Sequence, residues 1–219
     1  RITDDNLGIA GAKGKFKRNL EAIMTLKNCE MSDSLATPEE QEVMSLYTGW
    51  GGLADAFDET KDSWSNEYQL LKQLLTEEEY TAARESTLTA FYTPPTVIRA
   101  IYDAIGNMGF KRGNILEPSC GIGNFIGMLP EGMSESRVYG VELDSISGRI
   151  AQQLYQREKI TVAGYEDTTY PDSFFDIAVG NVPFGQFKVQ DKKYDRNNFL
   201  IHDYFFAKTL DKVRPGGVI

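Results

Sequence analysis

The chain has 219 residues, 41% hydrophobic and 25% charged, the proportions of an ordinary globular protein of one or two domains, and it contains no apolar run long enough to span a membrane. Its start, Arg1-Ile2-Thr3-Asp4-Asp5, lacks the basic-then-apolar profile of a secretion signal, and Cys29 and Cys120 stand apart with no Cys or His neighbours, so the expectation is a cytoplasmic protein with no disulfide framework, no metal and no membrane partner. A formal charge of -9 leaves few cations to displace counterions from nucleic acid, so this chain alone should bind DNA weakly.

From the amino terminus, Leu20, Ile23, Met24 and Leu26 recur at roughly helical spacing and predict a helix over 14–28. Thr37-Pro38-Glu39-Glu40 carries a capping residue, a proline at the first helical position and acid in the first turn, so a second helix should run to about Tyr47, where Gly49-Trp50-Gly51-Gly52 stops it. Leu70, Leu71, Leu74 and Leu75 form a helical stripe, and Thr76-Glu77-Glu78-Glu79 restarts a further helix. Residues 1–88 therefore read as a helical segment. Trp50 either lines a site or anchors this segment's core, and the basic run Lys13 to Arg18 reads as a solvated helix start.

Over 89–219 the pattern changes. Short apolar strands, 114–117, 138–142, 160–163 and 175–179, alternate with helical segments, which predicts an α/β fold with a doubly wound, mainly parallel sheet. Arg214 to Ile219 reads as a fifth strand just beginning, so the sheet is expected to be truncated at its C-terminal side and the chain to be a piece of a longer protein.

The first strand enters Glu117-Pro118-Ser119-Cys120-Gly121-Ile122-Gly123-Asn124-Phe125, a tight turn in which Gly121 and Gly123 let backbone approach a ligand. A dinucleotide fingerprint needs a third glycine where Ile126 stands, which disfavours NAD. The second strand ends in Glu142, a carboxylate suited to the two hydroxyls of a ribose, and Asp144 can cap the next helix. The third ends in Tyr165-Glu166-Asp167, where a ring can stack on a cofactor adenine and either acid can accept from its amine.

After the fourth strand comes Gly180-Asn181-Val182-Pro183-Phe184-Gly185. An adenine amine is a poor nucleophile because its lone pair is delocalised into the ring. Catalysis there needs acceptors for both hydrogens, which the Asn181 side-chain oxygen and the Val182 carbonyl can supply, while Pro183 stiffens the turn and Phe184 stacks on an extruded base. As a lone tetrapeptide it is only a turn; its position after three strand ends that suit a nucleoside gives it meaning.

At these residues the sequence resembles the S-adenosylmethionine-dependent DNA adenine (N6) methyltransferases from about Ala90 to Ile219. Phe91-Tyr92-Thr93-Pro94-Pro95 is similar to the upstream motif, Glu117 to Phe125 to the glycine-rich motif, Glu142 to the ribose acid, and Asn181 to Phe184 to the catalytic Asn-Pro-Pro-aromatic motif, from which Val182 departs. The resemblance implies a Rossmann-like methyltransferase core and S-adenosyl-L-methionine as cofactor. It implies cofactor contacts at Tyr92, Thr93, Glu117, Pro118, Ser119, Gly121, Gly123, Asn124, Phe125, Glu142, Leu143, Tyr165, Glu166 and Asn181, with catalysis at Asn181, Val182, Pro183 and Phe184. Tyr47 to Gly52, Gly180 to Gly185 and Ile201-His202-Asp203-Tyr204-Phe205-Phe206 resemble more closely the methylase region of large helicase-methylase proteins of conjugative and phage-like mobile elements. This implies DNA as partner, engaged through parts beyond this chain, since no segment here has room for a target-recognition domain. His202 has no task in this chemistry and reads as packed or capping. Two rival readings stay open: methylation of another planar amine or amide, such as an RNA base or a protein glutamine, and a catalytically silent module that keeps the cofactor fold.

Overall fold

A computed structural model describes residue 2, residues 11–88 and residues 92–219, so Phe91 of the upstream pentapeptide and most of the first ten residues lie outside the described residues. Two compact units divide the chain, a helical unit ending at Tyr92 and a sheet unit from Thr93 to Ile219 together with Ile2.

The helical unit holds α1 (Ala12–Met31), α2 (Pro38–Ser45), α3 (Ser65–Leu74) and α4 (Glu77–Glu85). Two of them start as their capping signals require. The Thr37 hydroxyl accepts from the Glu40 N–H while the Glu40 carboxylate accepts from the Thr37 N–H, and Thr76 and Glu79 repeat the exchange. Along α1 the buried face is Phe16, Asn19, Ala22, Ile23, Leu26 and Cys29. Met24, expected on that face, is exposed because it lies one residue past Ile23 on the turn, and Leu70 of α3 is exposed beside buried Leu71 for the same reason.

Trp50 belongs to the core of this unit. Its ring meets Phe57 edge-on at 5.3 Å and Tyr47 at 6.3 Å, and is tilted against Phe16 at 6.2 Å. The turn that presents it is held by Asn19, 0% exposed, whose amide donates to the Gly49 carbonyl at 2.6 Å and whose oxygen accepts from the Thr48 N–H at 2.9 Å. Asn19→Leu keeps the branched shape and strands both backbone groups, so it should cost about 2–4 kcal/mol in urea unfolding of the chain. A loss below about 0.5 kcal/mol would show that water replaces the amide. Lys13, at the head of the basic run, donates to the Ser63 carbonyl, pairs with Glu67 at 2.7 Å and sits 3.9 Å over the Trp64 ring, so its charge is engaged within the unit.

In the sheet unit, α5 (Pro95–Asn107) precedes β1 (Asn114–Glu117), and then α6 (Asn124–Gly127), β2 (Arg137–Glu142), α7 (Ser145–Leu154), β3 (Lys159–Val162), β4 (Phe175–Ala178), α8 (Ile201–Lys212) and β5 (Val213–Val218) follow. The five strands pair in the order β3-β2-β1-β4-β5, all parallel. The fifth strand, expected only to begin, spans six residues and pairs from Phe175–Val213 to Ile177–Val218 with a register shift. The helix expected after the glycine turn is a single turn, α6, with Pro130 close behind it.

Buried strand side chains build one core on each face, alternating along β1 and β2, while the register shift between Phe175 and Ile177 turns these two to opposite faces of β4. Ile115, Val138, Ile160 and Ile177 pack with Ile98, Tyr102 and Ile105 of α5; Leu116, Tyr139, Val141 and Phe175 pack with Ile201, Tyr204 and Phe205 of α8. The chain winds outward from β1 through β2 to β3, then returns to the other side of β1 as β4. Parallel neighbours whose connections leave in opposite directions open a crevice at their carboxyl ends, here between β1 and β4.

Candidate functional site

Residues 117–125 and 180–185 flank that crevice. The Val179 N–H donates to the Leu116 carbonyl at 2.9 Å, and a Cβ on Gly180 would lie 3.4 Å from the Glu117 side chain, so the head of the glycine turn and the head of the Asn-Val-Pro-Phe segment are neighbours. Cys120 N–H donates to the Val141 carbonyl at 2.9 Å, which ties the turn to β2. Gly121 and Gly123 have φ of +56° and +85°, which an L side chain rarely adopts. At Gly123 the missing Cβ faces protein rather than an open ligand space: it would lie 2.5 Å from the Tyr155 ring. Gly123→Ala should therefore lower thermal stability by about 2–4 kcal/mol, whereas Gly132→Ala, in open space, should change little. Equal effects of the two would remove the turn geometry as the cause.

Two carboxyls meet behind this turn. Glu142 accepts from the Gly121 N–H at 2.6 Å and the Asp144 N–H at 2.8 Å. Burial pushes its pKa up, the backbone donors pull it back only in part, and it rests at about 7. Asp144, as a helix cap, accepts from the N–H and hydroxyl of Ser147. Glu117 is 2% exposed, and its Oε2 has no hydrogen-bond partner among the described residues. Burial, and then the charge of Glu142, push Glu117 well above the usual carboxylate range. An orphaned acid oxygen beside an acceptor-rich carboxylate suits a ligand bearing both an ammonium and hydroxyls.

Pro118 is buried, Ser119 partly so, and Asn124 is buried at the start of α6. Leu143 is exposed beside Glu142. Thr93 precedes α5 in the sheet unit while Tyr92 ends the helical unit, and both are half-buried. The rings of Phe125 and Tyr165, expected against a ligand, turn into the two cores instead. Phe125 packs 6.1 Å from Tyr102, whose hydroxyl donates to the Phe125 carbonyl at 2.8 Å. Tyr165 packs against Phe205 at 5.0 Å with its hydroxyl 3.1 Å from that of Thr209. Apolar surface outweighs the hydroxyl for such a ring. At that strand end Glu166 is the half-buried acid and Asp167 the exposed one.

Asn181 is exposed and Val182 and Pro183 are half-buried, with the Val182 side chain against the core under α8. That contact anchors the turn where the resembled motif has a second proline. Phe184 is 69% exposed, and one face of its ring stacks on His202 at 5.4 Å with 24° between planes, leaving the other open. His202 makes no cap to α8; it is the ring behind Phe184. The sequence reading also missed Lys208. It stands at the i+7 position of the apolar stripe Ile201, Tyr204, Phe205 on α8, and a lysine in such a stripe was the available signal.

The parallel order with its crevice between β1 and β4 is the fold of class I S-adenosylmethionine-dependent methyltransferases. A solved Listeria monocytogenes chain provisionally assigned to that class superposes with a TM-score of 0.51 at 15% identity, covering 94% of this chain and 72% of that one. No family model matches the chain. It is 27% identical over 220 residues to the "Defense against restriction protein B" of Escherichia phage P1, across 96% of this chain and 8% of that protein. It is 34% identical over 95 residues to the "Type II methyltransferase M.CvrRI" of Paramecium bursaria Chlorella virus XZ-6E, across 43% of this chain and 24% of that protein. The chain thus spans a small part of the length of the curated relatives it matches.

Proposed function

We propose that this chain is the catalytic core of an S-adenosylmethionine-dependent methyltransferase that acts on the exocyclic amine of adenine in DNA. The observation that carries the reading is the adjacency of Gly180, the residue before Asn181, to Glu117 at the reversal of the sheet, where an amine-holding segment would follow directly on a nucleoside-suited turn. The relative named a Type II methyltransferase, and the phage relative named for defense against restriction, support DNA as substrate.

Glu142 would accept from the ribose hydroxyls and Glu117 Oε2 from the ammonium of the methionyl part, while the backbone at Gly121 lets the cofactor approach. When bound, the cofactor supplies an electrophilic methyl group on a sulfonium. Asn181 accepts one amine hydrogen and the Val182 carbonyl the other, which localises the lone pair on nitrogen. The open face of Phe184 stacks on the base, and His202 stops the ring from swinging away. The test is to incubate the chain with methyl-labelled S-adenosylmethionine and unmethylated DNA and to separate the nucleosides. Label in N6-methyl-2′-deoxyadenosine is expected; label only in cytosine, or in RNA or protein supplied in parallel, would overturn the choice of substrate.

A further inference from the structure

Lys208 is 3% exposed, yet it sits where a leucine would complete the apolar stripe of α8. Its ammonium donates to the carbonyls of Tyr165 at 2.7 Å and of Glu166 and Thr168 at 3.2 Å, and to the Asp191 carboxylate at 3.1 Å. Burying a lysine is costly, and an apolar side chain in the same place is often no worse for stability. The four acceptors come from two separate segments: the turn 165–168 after β3, and the loop 186–199 that leads from Gly185 to α8.

Asp191 in turn organises that loop. Its Oδ2 also accepts from the Tyr204 hydroxyl at 2.8 Å, its Oδ1 from the Lys193 N–H at 3.1 Å, and its carbonyl from the N–H groups of Tyr194 and Asp195. Its own N–H donates to the Asp195 carboxylate at 2.8 Å. The near end of the loop packs on Gly185 and on the start of α8: the Phe187 ring lies where a Cβ on Gly185 would stand, and the Phe187 carbonyl accepts from the Ile201 N–H at 2.9 Å. One ammonium therefore joins the backbone of the turn 165–168 to the residue on which the loop after Gly185 is folded.

We infer that Lys208 is a positioning residue that couples the turn 165–168 to the loop 186–199, so that filling the cofactor side of the site orders the loop on the substrate side. The inference rests on the proposed cofactor site. A staple that only stabilised the fold would bind the two segments equally with and without ligand. A coupler transmits the ordering of one to the other.

Hydrogen exchange of the chain, with and without saturating S-adenosylhomocysteine, separates the cases. In the wild type, ligand should slow exchange about tenfold or more in both 164–168 and 186–199. In Lys208→Met and in Asp191→Asn, the turn should keep its ligand-induced slowing and the loop should lose it. Asp191→Asn removes the negative charge that holds the ammonium, and it decides the matter if Lys208→Met does not fold. Ligand protection of the loop that survives in a folded variant, or wild-type protection of the turn alone, would overturn the coupling. Absence of any ligand protection at 117–124, 142 and 164–168 in the folded wild type would overturn the cofactor site, and the coupling with it.

Discussion

Asn181→Ala is expected to lower the methyl-transfer rate by about 10²–10³-fold while leaving cofactor affinity within about threefold of wild type. The amide is exposed at the end of β4 and supports no buried packing, so its loss should not disturb the fold. In the proposed function it removes one of two acceptors that would hold the amine hydrogens. The Val182 carbonyl survives any side-chain change and accounts for the residual rate. Phe184→Ala should act differently, raising KM for DNA more than it lowers kcat, because its open face meets the base before and during the reaction alike. Single-turnover rates with labelled cofactor, beside calorimetric affinities, check both. An Asn181→Ala chain that transfers at the wild-type rate would remove this segment from the chemistry.

Cofactor affinity should rise about tenfold between pH 6 and pH 8, because the pKa of Glu142 is about 7 and the ribose hydroxyls need the ionised carboxylate as acceptor. Without ligand the sign reverses. Glu142 and Glu117 both have pKa values raised above their unfolded range, so the folded chain holds protons that the unfolded chain has released. Both contributions to stability are full below the ordinary carboxylate pKa near 4.5; that of Glu142 is lost as pH climbs through about 7, and that of Glu117 falls with rising pH in the same sense. The ligand-free chain should thus lose stability from these two acids between pH 5 and 8, and the melting shift caused by ligand should grow over the same window. Glu142→Gln should flatten most of the affinity profile and weaken binding at pH 8 by about tenfold. A Glu142→Gln chain whose affinity follows wild type across the range would assign the profile to another group.

Much of the α/β core is legible in the sequence because a strand buried on both faces must be nearly continuous in apolar residues. Asn114–Glu117, Arg137–Glu142, Lys159–Val162 and Phe175–Ala178 each match an expected segment to within a residue or so. The capping boxes at Thr37 and Thr76 were equally readable, since they need only four adjacent residues. Contacts between distant segments were not. Nothing local tells whether the ring of Tyr165 faces a crevice or Phe205, and the answer depends on how α8 lies across the sheet. The stack of His202 on Phe184 and the four acceptors around Lys208 likewise join residues far apart in the chain. Gly123 was picked out for the right backbone conformation and the wrong neighbour, because the ring that fills its side is Tyr155, at the far end of α7.

The most direct measurement is a calorimetric titration of S-adenosylmethionine into the chain at pH 8, with NAD as the control and Glu142→Ala beside the wild type. The account predicts saturable one-to-one binding of S-adenosylmethionine, no binding of NAD, and affinity reduced at least about tenfold in Glu142→Ala. A folded chain that binds no S-adenosylmethionine, or that binds it equally well without the Glu142 carboxylate, would contradict the account.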